Sequence, residues 1–147
     1  MSQLLNHFNA VGAEQFTATV CQFAPYFSTI QPTINALRPG YAEASVPLRK
    51  EVTNHLGTMH AIALCNAAEL VAGTMTDASI PEGYRWIPKG MTVEYLAKVK
   101  TDVRAVSDGS AIDWTQAGDQ IVPVDVFDTT GKKVFTARIT MNVKAAA

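Results

Sequence analysis

The sequence predicts an α+β fold: an antiparallel sheet of five or six strands wrapped around one long central helix, with an extra helix at the N-terminus. Three observations carry this. A proline-free run rich in alanine and leucine, Gly57 to Ala72, reads as a helix with almost no polar face. Four or five strand-like stretches follow it, joined by short turns. Short connections make neighbouring strands antiparallel, and such a sheet buries its apolar face by curling around the helix.

Residues 3–23 read as the first helix, because Leu5, Phe8, Gly12, Phe16, Val20 and Phe23 recur at three- or four-residue spacing and form one apolar stripe. Pro25 ends it. From Tyr26 to Gly40 the chain is punctuated by Pro32 and Pro39 and reads as a loop or short helical turn over the core. Tyr26 and Phe27 in it serve either as packing or as the cover of a pocket. Tyr41 to Lys50 alternates, with Ala42, Ala44, Val46 and Leu48 on one face, and reads as a half-buried strand. Pro47 marks it as an edge strand or a bulged one.

The central helix, ~24 Å long from Gly57 to Ala72, is closed by Gly73. Alanines at 61, 63, 67, 68 and 72 let other backbone come close. Thr74 to Ile80 is a strand candidate, and Pro81-Glu82-Gly83 a turn. Tyr84 to Ile87 is strand or loop, with a break at Pro88-Lys89-Gly90. Met91 to Val99 is a strand with Met91, Val93, Tyr95, Ala97 and Val99 on one face. Lys100 to Ser107 continues it or pairs with it, and Asp108-Gly109 is a tight turn. Ala111 to Trp114 and Gln120 to Asp128 read as further strands, and Asp128-Thr129-Thr130-Gly131 as a hairpin. In the last strand Phe135, Ala137, Ile139, Met141 and Val143 alternate with polar residues. No internal repeat or linker divides the chain. The expectation is one domain over 1–147, with 1–34 an N-terminal helix and loop and 35–143 the core.

The composition sets limits. At 147 residues, 48% hydrophobic and with net charge −1, the chain is neither disordered nor a polyanion binder, so no nucleic-acid partner is expected. Two cysteines, Cys21 and Cys65, make a poor disulfide framework and point to a reducing compartment. The first residues lack the basic and apolar regions of a secretory signal, and no run of 18 apolar residues suggests a membrane span. These features together predict a cytoplasmic protein with no membrane partner.

After its first turn the central helix carries only His60, Asn66 and Glu69 as polar residues. A carboxylate in an apolar helix is paired, hydrogen-bonded, set in a wet cleft or partly neutralised. On the helix alone, Glu69 fits a satisfied core or subunit-contact glutamate as well as a functional one. His55 and His60 lie five residues apart, ~140° around a helix, unlike the i, i+4 pair of a zinc helix, so no metal is expected. Cys65 has no base beside it in sequence and reads as a buried small hydrophobe.

A strand, then Asn54-x5-His60-Ala61, then a small-residue helix with an acid nine residues after the histidine, then antiparallel strands, resembles the hotdog-fold acyl-CoA thioesterases. Within them the chain is most similar to the phenylacetate-pathway and 4-hydroxybenzoyl-CoA thioesterase type, and to an uncharacterised hotdog group. The resemblance covers roughly residues 35–143. It implies that Glu69 is the catalytic carboxylate, as nucleophile or as general base on water. It implies that Asn54 helps position the thioester or the water, that the Ala61 N–H polarises the carbonyl, and that His60 is the histidine preceding that donor. It implies an acyl-CoA substrate, no cofactor, and a homodimer, also found as a dimer of dimers. His55, a loop residue near the cleft, Gly57 at the start of the helix, and Ile62 are taken as substrate-binding candidates. The family often has His-Gly-Gly; here the residues are His60-Ala61-Ile62, which keeps the backbone donor while Ile62 narrows the site. Many members carry aspartate where this chain has Glu69. Arg85, Lys89, Lys98, Lys100 and Arg104 form either a solvated basic face or contacts for the phosphates of coenzyme A, with Arg85 and Lys98 the chosen candidates.

His60 and Glu69 point to opposite sides of the helix, ~13.5 Å apart along its axis. One small reacting group does not reach both within a chain, and a two-fold dimer brings Glu69 of one subunit to the Asn54–Ala61 end of the other. The expected function is therefore an acyl-CoA thioesterase with two shared sites. The alternative is a non-catalytic acyl-CoA or acyl-chain binding hotdog protein; a hotdog dehydratase fits less well, because its histidine and acid follow a different pattern.

Overall fold

The structure, a computed structural model, describes residues 2–146. Helix α1 (Gln3–Phe23) starts at Ser2, whose Oγ accepts the Leu5 N–H at 3.0 Å. The straight apolar stripe expected here is not what forms. Gly12 sits at φ 82°, ψ −180°, and the helix folds back there. The Phe8 ring packs edge-on against Phe16 at 5.2 Å, where a straight helix would hold the two ~12 Å apart. Only glycine tolerates that backbone conformation; a side chain there costs about 1–3 kcal/mol. Leu5 and Phe16 are buried as expected, but Phe23 is 87% exposed.

The short helical turn expected after α1 forms as a 3₁₀ turn (Pro25–Ile30), but it leads into a strand, β1 (Thr33–Arg38), where the rest of the segment was expected to be loop. The strand hides in the sequence because its pairing slips between Ile34 and Ala36. That bulge buries both Ile34 and Leu37, three residues apart, and erases the alternation. Strand β2 (Tyr41–Val46) buries Ala42, Ala44 and Val46. It lies inside the sheet and ends before Pro47, so Pro47 marks neither an edge strand nor a bulge, and Leu48 lies beyond the strand.

Helix α2 (Ala61–Ser79) begins four residues later than expected and runs through Gly73 for six more. Thr74 to Ile80 is therefore not a strand. The hydroxyls of Thr74, Thr76 and Ser79 donate to the carbonyls of Leu70, Ala72 and Met75 at 2.9, 2.7 and 2.6 Å, so these polar residues sit in a helix at little cost. Gly73 does not cap the helix. It is small because the Trp86 ring lies on it, and a Cβ would meet that ring at 2.9 Å. The expected burial holds for Ala67, Ala68, Val71 and Ala72.

Strand β3 (Tyr84–Tyr95) runs unbroken through Pro88-Lys89-Gly90. Its pairing slips between Pro88 and Gly90, which an edge strand absorbs. It stops at Tyr95, so Ala97 and Val99 lie outside it. Strands β4 (Val103–Asp108), β5 (Gly118–Asp128) and β6 (Lys133–Ala145) complete the sheet. Ala111 to Trp114 is a turn rather than a strand, with the Trp114 Nε1–H donating to the Gly109 carbonyl at 3.1 Å.

The six strands lie in the order β1-β2-β4-β5-β6-β3, every neighbour antiparallel. They wrap α2, which is the hotdog arrangement. The core lies between α2 and the inward residues of the sheet, among them Val122, Val124, Phe135, Ile139 and Met141. Among the described residues no helix is long and apolar enough to cross a membrane.

Candidate functional site

The segment before α2 folds into a small hairpin. Thr53 bridges Met59, and the Asn54 N–H donates to the Thr58 carbonyl at 2.8 Å. The Asn54 side chain organises the turn: Oδ1 accepts the N–H groups of Leu56 and Thr58 at 2.9 and 3.2 Å, and Nδ2 donates to Thr58 Oγ1 at 2.9 Å. His55, Leu56 and Gly57 form its exposed tip.

His60 is the N-cap of α2. Its Nδ1 accepts the Ile62 N–H at 3.0 Å, which leaves the ring proton on Nε2. The Ala63 N–H donates to the His60 carbonyl at 2.9 Å. The Ala61 N–H has no acceptor among the described residues, so one amide at the positive end of the helix stays unclaimed. Ile62 is 51% exposed beside it.

Glu69 lies eight residues further on, ~12 Å along the axis. In this chain it is exposed, not enclosed as the apolar character of the helix suggested. It makes no hydrogen bond or ion pair among the described residues. It lines a cleft of about 680 Å³ between α1 and α2, walled by Trp86 and Pro88 of β3. Within one chain, then, Glu69 is not brought to Ala61.

The cations divide. Lys89 pairs with Asp119 at 2.9 Å, and Arg104 pairs with Glu43 at 3.0 Å while lying over the Phe127 ring. Lys98 is exposed beside Val99, whose carbonyl accepts the Met59 N–H at 2.9 Å, so Lys98 flanks the hairpin that precedes α2. Arg85 lies near the start of β3, opposite Lys144, far from that hairpin.

Some residues of the site region are not apparent in the sequence. Trp86 donates its Nε1–H to Asp77 Oδ1 at 3.0 Å and closes one end of the cleft. His7 and Thr19 face it as a pair, 3.1 Å apart, through the fold-back at Gly12, whose glycine is the one sequence signal for it. Asn66 is buried under the 3₁₀ turn, with Nδ2 near the Tyr26 carbonyl and Thr29 Oγ1 and with Oδ1 unpartnered among the described residues. Burial raises the pKa of the Cys65 thiol, which disfavours a thiolate nucleophile. The described residues contain no cluster of three or more histidine, cysteine or acidic side chains able to hold a metal.

The family described as "Domain of unknown function (DUF4442)" matches residues 12–143. A crystal structure of the genomics target APC5556 is similar at 61% identity, with 98% of this chain and 97% of that one covered and a TM-score of 0.90. The thioesterase HI1161 from Haemophilus influenzae is similar at 19% identity, with 82% of each chain covered and a TM-score of 0.73. A thioesterase family protein from Silicibacter pomeroyi is similar at 14% identity, with 88% of this chain and 96% of that one covered and a TM-score of 0.75. At these last two identities the likeness is one of fold. No protein of curated function matches the chain.

Proposed function

We propose that this chain, which belongs to the DUF4442 family, is a hydrolase of acyl-CoA thioesters that works through Glu69. The observation that carries the reading is the unpaired Glu69 carboxylate at an apolar cleft, on the same helix as an unclaimed N-terminal amide at Ala61. Thioester hydrolysis needs those two things: a carboxylate to attack the carbonyl carbon or to take a proton from the attacking water, and a donor for the oxyanion that forms. With Glu69 as base, collapse of the tetrahedral intermediate breaks the C–S bond and the proton taken from water leaves on the coenzyme A sulfur; with Glu69 as nucleophile, coenzyme A leaves as the thiolate, and a water then hydrolyses the acyl–Glu69 anhydride and supplies the proton to the sulfur.

The two groups lie on different parts of α2, so the reading includes a two-fold dimer in which Glu69 of one copy faces Ala61 of the other. Strand β3 supports this. It is an edge of 12 residues on which Ile87, Met91 and Tyr95 are 60%, 42% and 57% exposed. An open apolar edge of that length is a surface to be covered. Lys98, beside the hairpin, is the better placed of the two chosen cations for a phosphate near the Ala61 end.

One observation favours the binding-protein alternative. The Asn54 amide is engaged in its own turn and His60 Nδ1 caps the helix, so both side chains have structural work in the absence of chemistry. Their role in the hydrolase reading is to hold the Ala61 amide in place.

The test is thiol release from a panel of acyl-CoAs by wild type, Glu69→Gln and Ala61→Pro. Proline suits the first helical position and removes only the N–H. Glu69→Gln is expected to lose about 10²–10⁴-fold in kcat. Ala61→Pro is expected to lose about 10²–10³-fold with the helix intact, and Ala61→Gly to retain activity. Wild type that binds acyl-CoA without releasing thiol sinks the hydrolase reading and leaves the binding protein.

A further inference from the structure

We propose that the α1–α2 cleft is the acyl-chain site and that it selects thioesters of linear aliphatic acids over aromatic ones. The inference rests on the hydrolase reading for the position of the thioester at Glu69; the cleft itself supplies the rest.

Its length comes first. From Glu69 to Asp77 the cleft follows two turns of α2, ~12 Å, enough for an extended chain of roughly eight to ten carbons. Its size comes second. A cavity of about 150 Å³ already holds benzene, so about 680 Å³ is several times what one ring fills.

Its chemistry comes third. Apart from Glu69 and the exposed Gln3, the polar side chains in its walls are already paired: His7 with Thr19 at 3.1 Å, the Trp86 Nε1–H with Asp77 at 3.0 Å, and the Thr74 hydroxyl with the Leu70 carbonyl at 2.9 Å. They offer a guest little hydrogen bonding, and Val20, Phe27, Leu70 and Trp86 give it apolar contact. Glu69, the charge with no partner, stands at one end, and the Asp77–Trp86 pair stands at the other. A cleft with one reactive group at its end and paired polar atoms along its walls measures chain length rather than ring chemistry.

The N-terminal helix makes this possible. One wall belongs wholly to α1 and the segment after it, and α1 stands there as a folded pair of short helices because Gly12 turns it back.

The experiment measures binding of non-hydrolysable acyl-CoA thioethers, from two to sixteen carbons plus the phenylacetyl analogue, to the full wild-type chain by calorimetry. Trp86, one of two tryptophans, gives a second signal through its emission. Affinity is expected to rise about fourfold per methylene until the cleft is full and then level off, with the phenylacetyl analogue well below the best aliphatic one. Val20→Trp is expected to move the plateau to shorter chains; Ala24→Trp does the same work if the first variant fails to fold. A flat response to chain length, as when a second copy fills the cleft, overturns the proposal. So does a phenylacetyl analogue that binds as tightly as any chain, or a plateau unmoved in a folded variant. Because binding is read without turnover, chain-dependent affinity in a protein that releases no thiol sinks the hydrolase and keeps the cleft; turnover of aryl thioesters alone does the reverse.

Discussion

At one edge of the sheet, β1 is six residues long and lies under α1, and its Ile34 N–H, turned away from β2, donates to Thr17 Oγ1 at 2.8 Å. At the other edge, β3 is 12 residues long, no strand among the described residues pairs along its outer side, and Ile87, Met91 and Tyr95 stand exposed there. The same sheet therefore has one finished edge and one unfinished edge. A helix with a hydroxyl acceptor ends β-pairing from within the chain, whereas an open apolar edge asks for another strand. The candidate chemistry lies toward the unfinished side: Glu69 lines its clefts together with Pro88, Gly90 and Met91 of β3.

The sharpest way to break this comparison is to charge the open edge. Ile87→Lys with Met91→Lys is expected to weaken self-association by about 100-fold or more and to remove hydrolysis with it, while the monomer stays folded. Sedimentation over a concentration series checks it. A double variant that associates like wild type would mean that β3 is not the contact.

The closed edge predicts a different outcome. Thr17→Val strips the acceptor from the buried Ile34 amide and is expected to cost about 1–3 kcal/mol of stability with no change in association. Denaturant unfolding and sedimentation together read both halves of that statement. Dissociation on losing Thr17 would show that the two edges are coupled.

The smallest effect concerns acid. Hydrogen bonds from Asn142, then Lys89, hold the Asp119 carboxyl below the usual carboxylate range, tying β5 to β6 and to open-edge β3. A depressed folded pKa contributes stability above the unfolded value of about 4 and loses it as pH falls through the lower folded value. Asp119→Asn is expected to shrink the loss of stability between about pH 6 and pH 3, slightly, because the group is exposed. Identical acid profiles for the two proteins would remove Asp119 from that account.

Sequence alone set down a good deal. The alternation from Phe135 to Val143, the apolar character of α2 and the hairpin at Asp128 are local patterns, and all stand in the fold, whereas Asp108 ends β4 and the chain reaches β5 through a longer connection instead of a tight turn at Asp108-Gly109. Glu69 stood out in the sequence as a lone acid on an apolar helix, whereas Ala61 entered only through the family resemblance, because the sequence starts the helix at Gly57. Tertiary structure decided the rest, because it depends on partners far along the chain. A slip in the pairing with β2 made β1 a strand without alternation. Backbone carbonyls one turn back, and the ring of Trp86, let α2 run on through Gly73 and its threonines. The fold-back at Gly12 set His7 against Thr19 and built one wall of the cleft. Whether a carboxylate on an apolar helix faces core or solvent depends on what packs beside it, and beside Glu69 stand α1, the open strand β3 and a cleft.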